Sequence, residues 1–194
     1  LKTNLTSFDV VIVGFGPIGQ FVVNLLKPYN LKIAVIEKLP SINSSPRANA
    51  IDDEIMRGMS RLDTFKEFKN KTSVPDFIEF SFPNKKTIQS TPVKKTLNGF
   101  PAVTMFYQPD LENALLKNIM YSRNIEIFYE NELIDFREKD NQITLTTRCS
   151  DKKNNKIIKA GFLLACDGAE SSVRSMLKID QLDLQYNKDW LIID

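Results

Sequence analysis

The sequence predicts an α/β fold built on a parallel sheet, and three observations carry that reading. Phe8 to Val13 (Phe-Asp-Val-Val-Ile-Val) is a β-branched run without clean alternation, as expected of a strand buried on both faces. A glycine-rich turn follows, Gly14-Phe15-Gly16-Pro17-Ile18-Gly19, and Gln20 to Leu26 then shows helix-like apolar spacing that Pro28 closes. Leu31 to Ile36 is a second strand-like run, and it ends on Glu37. Strand, turn, helix and strand within about thirty residues is the size of one βαβ unit.

The remaining elements follow in order. Leu39 to Asn49 is rich in Pro, Ser and Asn, hence a loop. Asp52 to Met59 reads as a helix capped by Asp52 or Asp53. A short helix is expected over Leu62 to Phe68. Phe77 to Phe82 alternates large apolar and polar residues, Pro83-Asn84-Lys85-Lys86 turns the chain, and Thr87 to Gln89 returns. That pattern predicts a hairpin with one face buried. Val103 to Tyr107 is a further strand. Asp110 to Tyr121 is an amphipathic helix with Leu111, Ala114, Leu115 and Ile119 at core spacing. Leu133 to Glu138, Gln142 to Cys149 and Lys156 to Ala165 form a meander, turning at Lys139-Asp140-Asn141 and at Asp151 to Asn155. The last strand runs into Cys166-Asp167-Gly168-Ala169 and a helix over Glu170 to Leu177.

Composition narrows the function classes. The 194 residues are 42% hydrophobic and 26% charged, ordinary for a chain that buries a core. With 26 basic and 24 acidic residues the net charge is +2, which gives no reason to expect a nucleic acid or an anionic membrane as partner. The absence of histidine removes Ser-His-Asp and Cys-His catalysis and most zinc sites, and no metal site is expected. Cys149 and Cys166 are the two cysteines. They are expected as small core residues without a redox role, in a cytoplasmic protein. No apolar run is long enough to span a bilayer. The chain opens on Leu1 and closes just after Leu191-Ile192-Ile193, an apolar run that reads as a core strand. The expectation is a fragment of a longer protein.

The glycine turn is the strongest chemical signal. Gly14 permits a tight turn out of the strand, Gly16 lets a pyrophosphate approach the backbone, and Gly19 lets helix and strand pack closely. Pro17 presets the first helical φ and removes a donor that would go unpaired. The positive end of the helix dipole then faces the phosphates. Glu37, eighteen residues past Gly19, can accept from both ribose hydroxyls and would repel a 2′-phosphate, which favours FAD or NAD over NADP. The alternative is a Gly-rich turn that binds nothing. Hairpin sequence after the second strand, in place of further βα units, and a meander ending in an Asp-Gly turn favour FAD over NAD. The fold expected is thus an FAD/NAD(P)-binding, Rossmann-like three-layer fold with a β-meander crossover. It would occupy residues 1–76 and 104–178, with parts of an antiparallel-sheet substrate domain at 77–103 and 179–194.

Several further segments lie in order along the chain: Glu37-Lys38, Pro46-Arg47-Ala48, Ile51-Asp52-Asp53-Glu54 with Arg57, Gln108-Pro109 with Leu111-Glu112, Ala165-Cys166-Asp167-Gly168-Ala169 with Ser172-Val173-Arg174, and Trp190 to Asp194. Together with Val11 to Gly19 they resemble the flavin-dependent aromatic hydroxylases (class A flavoprotein monooxygenases), nearest to 3-(3-hydroxyphenyl)propionate hydroxylase-like enzymes. The resemblance spans nearly the whole chain and corresponds to the N-terminal portion of that family. It implies FAD as cofactor, NAD(P)H as co-substrate, O₂ as oxidant and a small aromatic substrate hydroxylated on a phenolic ring. Cofactor contacts are implied at Gly14, Gly16, Pro17, Ile18, Gly19, Glu37, Lys38, Arg47, Gln108, Asp167 and Gly168, with Arg174 supporting the Asp-Gly turn. Asp52 is implied nearest the flavin ring or the phenol. From the residues alone, Arg47 is a solvated loop arginine, Gln108 a helix-start polar residue, and Asp52 and Asp167 are N-caps. The family's second FAD motif, Gly-Asp followed by histidine, has no counterpart in these residues. Another flavoenzyme of the same architecture, an NAD-dependent dehydrogenase domain and a non-catalytic nucleotide-binding module are the competing readings. A homodimer is compatible with any of them.

Overall fold

The computed structural model describes residues 6–42, 48–84, 86–150, 155–185 and 189. The chain packs into two units, residues 1–43 with 121–194, and residues 44–120. No helix among the described residues is long and apolar enough to cross a membrane.

The first unit is a six-stranded sheet in the order β7-β2-β1-β10-β9-β8. Its strands are β1 (Thr6–Val13), β2 (Ile33–Ile36), β7 (Ile125–Phe128), β8 (Asn131–Lys139), β9 (Gln142–Cys149) and β10 (Asn155–Ala165). β1 pairs in parallel with β2 and with β10, and β2 pairs in parallel with β7. β8, β9 and β10 form the expected antiparallel meander. Its Lys139–Gln142 turn puts Asp140 and Asn141 at φ 52° and 57°, the two positive values that a two-residue hairpin loop needs. Val11, Val13, Ala34, Ile36, Leu145 and Ile158 bury one face in a shared core. Val10, Ile12, Ile33 and Val35 alternate with them and are buried on the other face. This is why β1 and β2 read as continuous apolar runs. β7 was not foreseen: its four residues carry too short a pattern to stand out from the loop after the preceding helix.

Helix α1 (Pro17–Leu26) follows β1, and the short α5 (Ser172–Met176) follows β10. Pro28 does not end α1 abruptly. It sits in a 3-10 turn, Lys27–Tyr29, that closes on Asn30 at φ 52°.

The second unit holds β3 (Ala50–Asp52) paired antiparallel with β6 (Val103–Met105), helices α2 (Asp53–Met59), α3 (Phe65–Lys69) and α4 (Gln108–Ile119), and the hairpin β4 (Phe77–Ser81) with β5 (Thr87–Pro92). α4 starts two residues earlier than expected because Pro109 serves in its first turn. Its Leu111, Ala114, Leu115 and Ile119 are buried as the periodicity predicts. Phe68 packs edge-on to Phe106, and the Thr64 hydroxyl donates to the Ala114 carbonyl at 2.9 Å, joining α3 to α4.

Two expectations require correction. The hairpin forms, but its apolar residues Phe77, Phe80, Phe82 and Ile88 are each more than half exposed. Alternation specifies which side chains share a face; burial needs a second layer, and among the described residues none lies on this one. Both cysteines are partly buried free thiols and not core residues.

Candidate nucleotide-binding site

The site is built where β1 ends. Gly14 turns the chain at φ 95°, a conformation that side-chain-bearing residues rarely adopt. A Cβ at Gly14 would stand 2.4 Å from the Cys166 carbonyl oxygen, and one at Gly19 would stand 2.1 Å from that of Gly14. Both positions therefore require glycine for packing. Gly16 differs: its backbone is extended (φ −72°, ψ −173°) and a Cβ there would meet nothing within 4 Å. The glycine at 16 leaves open space at the start of α1.

Gly16 is the N-cap of α1 and Pro17 follows it, with no side chain capping the helix and no acidic residue in its first turn. The Ile18 and Gly19 N–H groups occupy positions whose donors find no partner within a helix. They are a ready site for anionic oxygen. Ile18 is 63% exposed on this first turn. Glu37 stands beside the turn. Its Oε2 accepts from the Phe15 N–H at 2.7 Å and its Oε1 from the Leu39 N–H at 2.8 Å. A carboxylate oxygen accepts two hydrogen bonds, so each oxygen keeps capacity for a hydroxyl donor. Lys38 is exposed beside it.

The turn after β10 closes the same edge of the sheet. Asp167 accepts from the Ser171 hydroxyl at 2.6 Å, the Ser172 hydroxyl at 3.1 Å and the Val173 N–H at 3.2 Å. Burial opposes its ionisation, but these hydrogen bonds outweigh it and hold the carboxyl below its ordinary value. The N-cap of α5 is Ser171, so Asp167 braces the helix start from further back. Arg174 donates to the Ala169 carbonyl at 2.6 Å and ties the turn from the helix side. Gly168 has φ 85° and open space around it. Burial, and then the neighbouring Asp167 charge, push the Cys166 thiol up, which keeps it protonated.

In the second unit Asp52 is the N-cap of α2 and accepts from the Ile55 N–H at 2.8 Å, so the structure chooses it over Asp53 as the cap. Asp53 instead accepts from Thr96 Oγ1 at 2.5 Å and Asn98 Nδ2 at 2.6 Å, and those two bonds hold its carboxyl below the usual range. Gln108 is 4% exposed; its Oε1 accepts from the Ala48 N–H at 3.0 Å and its Nε2 donates to Glu112 at 2.6 Å. Arg47 lies outside the described residues. Sequence reasoning passed over the use of Glu37 as a backbone brace, the Ser171–Ser172 tie to Asp167 and the buried Glu112. The Gln108–Glu112 spacing of four on a helix was the one legible signal among these.

Residues 7–193 match the family described as FAD binding domain. The chain belongs to the FAD binding domain family. Its relatives include the 3-(3-hydroxy-phenyl)propionate/3-hydroxycinnamic acid hydroxylase of Escherichia coli (strain K12), 28% identical over 188 residues. That match covers 97% of this chain and 34% of the relative, so the chain spans about a third of the relative's length. Among solved structures, p-nitrophenol 4-monooxygenase PnpA from Pseudomonas putida DLL-E4 superposes with a TM-score of 0.78 at 19% identity, over 89% of this chain and 44% of that one. The flavin-dependent monooxygenase PieE, solved in complex with FAD and substrate, gives 0.76 at 15% identity, over 89% and 32%. These two establish the fold. The open start of α1, framed by two positions that only glycine can fill, fits the cofactor this FAD binding domain family is named for.

Proposed function

We propose that this chain is the FAD-holding part of a monooxygenase that hydroxylates a small phenolic ring with NAD(P)H and O₂. The observation that carries the reading is the uncapped N-terminus of α1 beside an open Gly16. Bound FAD, reduced by NAD(P)H, supplies the O₂ activation that no side chain can.

The residues then divide the work of binding. Gly14, Gly16, Pro17, Ile18 and Gly19 present backbone and helix dipole to the pyrophosphate. Glu37, already oriented by Phe15 and Leu39, accepts from ribose hydroxyls, with Lys38 beside it. Asp167 and Gly168 take a second part of the cofactor, Asp167 arriving ionised. Arg47 and Gln108 are assigned to the cofactor chain, and Asp52 to the reacting ring, on the family resemblance. The relatives' substrates support an aromatic substrate, and the sparing use of cysteine supports a cytoplasmic setting.

The test is a titration of the purified chain with FAD, read in the flavin absorbance bands, followed by NADH or NADPH oxidation with and without phenolic acids. Structured, red-shifted bands and phenol-stimulated oxidation are expected. An unchanged flavin spectrum with a folded chain overturns the reading. Binding without oxidation confines the chain to holding the cofactor.

A further inference from the structure

Ser171 is buried at the start of α5, and its hydroxyl is engaged on two sides. The oxygen accepts from the Arg174 N–H at 3.0 Å, which makes Ser171 the N-cap. Its proton goes to Asp167 Oδ1 at 2.6 Å. A hydroxyl has one proton to give and lone pairs to accept with, so one small group serves both partners. Capping alone would not require this. Aspartate caps a helix as well as serine does, but here it would set a second carboxylate against Asp167.

The two oxygens of Asp167 are not treated alike. Oδ2 receives the Ser172 hydroxyl at 3.1 Å and the Val173 N–H at 3.2 Å. Among the other described residues, only Ser171 donates to Oδ1. A carboxylate oxygen takes about two donors, so Oδ1 is the one with capacity left for a ligand. Gly168, the next residue, has open space where a side chain would stand. Among the described residues no cation forms an ion pair with Asp167. Burial disfavours its charge, hydrogen bonds overcome that, and the one from Ser171 weighs most among them.

We propose that Ser171 is a positioning residue of the cofactor site. Its hydroxyl fixes Asp167 so that Oδ1 accepts a hydroxyl of the bound cofactor, and it ties that orientation to the start of α5. This rests on the reading of Asp167 as a cofactor-binding residue, and it gives Ser171 a duty beyond capping.

Ser171→Gly and Ser171→Thr decide it. Glycine caps a helix nearly as well as serine and has no proton to give, whereas threonine keeps the hydroxyl. The readouts are an NMR titration of the Asp167 carboxyl and FAD affinity from flavin fluorescence. Loss of one hydrogen bond to an ionised group predicts that Asp167 holds a proton about tenfold more tightly in Ser171→Gly, and within about twofold of the parent chain in Ser171→Thr. FAD affinity falls about tenfold in Ser171→Gly and stays within about twofold in Ser171→Thr. The loss vanishes when Asp167→Asn is already present, because the two residues act as one unit. A residue that only capped α5 would leave the proton affinity of Asp167 unmoved in Ser171→Gly, and that result overturns the proposal. So does equal loss of FAD affinity in both variants, or a loss that adds in full to that of Asp167→Asn. A parent chain that does not bind FAD sinks the wider reading of function, and the titration still decides whether Ser171 sets the Asp167 carboxylate.

Discussion

Two neighbouring strands of the first unit, β1 and β10, each end in a turn that starts a helix, and the two turns treat the helix N-terminus in opposite ways. Val13 pairs with Ala165, and both chains then pass through a glycine of positive φ, Gly14 at 95° and Gly168 at 85°. After β10 the helix start is closed. Ser171 caps it and Asp167 receives three donors around it. After β1 the start is open, with glycine at the cap, proline behind it and no acidic side chain in the first turn. A helix N-terminus attracts negative charge whatever its source. The protein fills one such site with its own carboxylate and leaves the other open, where the phosphates of the proposed cofactor are assigned.

The comparison can be broken in four ways, the largest effect first. Gly19→Ala puts a carbon 2.1 Å from the Gly14 carbonyl oxygen and forces the start of α1 away from the end of β1. A loss of about 3 kcal/mol is expected in urea unfolding, and an unchanged midpoint would show that α1 does not need this close approach. Glu37→Ala strips the Phe15 and Leu39 N–H groups of their acceptor. It should cost about 2 kcal/mol, since a donor left unmet is worth more than an average hydrogen bond.

Asp167→Asn should cost about 1 kcal/mol at neutral pH, the scale of a helix-start interaction. Its pH dependence has a definite sign. The folded carboxyl sits below its ordinary value, so its stabilisation is fully present above the unfolded value near ~3.9 and is lost as pH falls through the folded one. The gap between parent and variant, followed by thermal melts from neutral to acid, should therefore narrow towards acid. A gap that widens there would assign Asp167 the opposite role.

Gly16→Asp has the smallest effect on folding and the sharpest bearing on the comparison. The position is open and extended, and aspartate caps a helix slightly better than glycine, by a few tenths of a kcal/mol. The variant converts the open turn into the closed kind. It should melt at or just above the parent temperature and fail to shift the flavin spectrum. Retained FAD binding would show that the start of α1 is not the phosphate site.

Much of this was readable in advance, for local reasons. The Gly14-x-Gly16-x-x-Gly19 spacing, Glu37 at the end of the next strand and the meander with its Asp140-Asn141 turn all depend on short-range sterics and on burial of both strand faces. The Phe15 partner of Glu37 and the Ala48 partner of Gln108 were not readable, because each bond joins residues that only folding brings into reach. Gln108 and Ala48 are sixty positions apart. The hairpin shows the same limit from the other side: its alternation told which residues share a face and could not tell whether anything covers them.

The sequence by itself determined the βαβ unit, the glycine positions and the family, because backbone conformation and close packing restrict those residues wherever the chain goes. The tertiary structure alone decided which helix start stays open, which of Asp52 and Asp53 caps α2 and which backbone N–H group Gln108 receives. Those outcomes depend on which donors arrive beside which acceptors once distant segments pack. A polar side chain carries its capacity in its own chemistry, and its partner is fixed only by the fold.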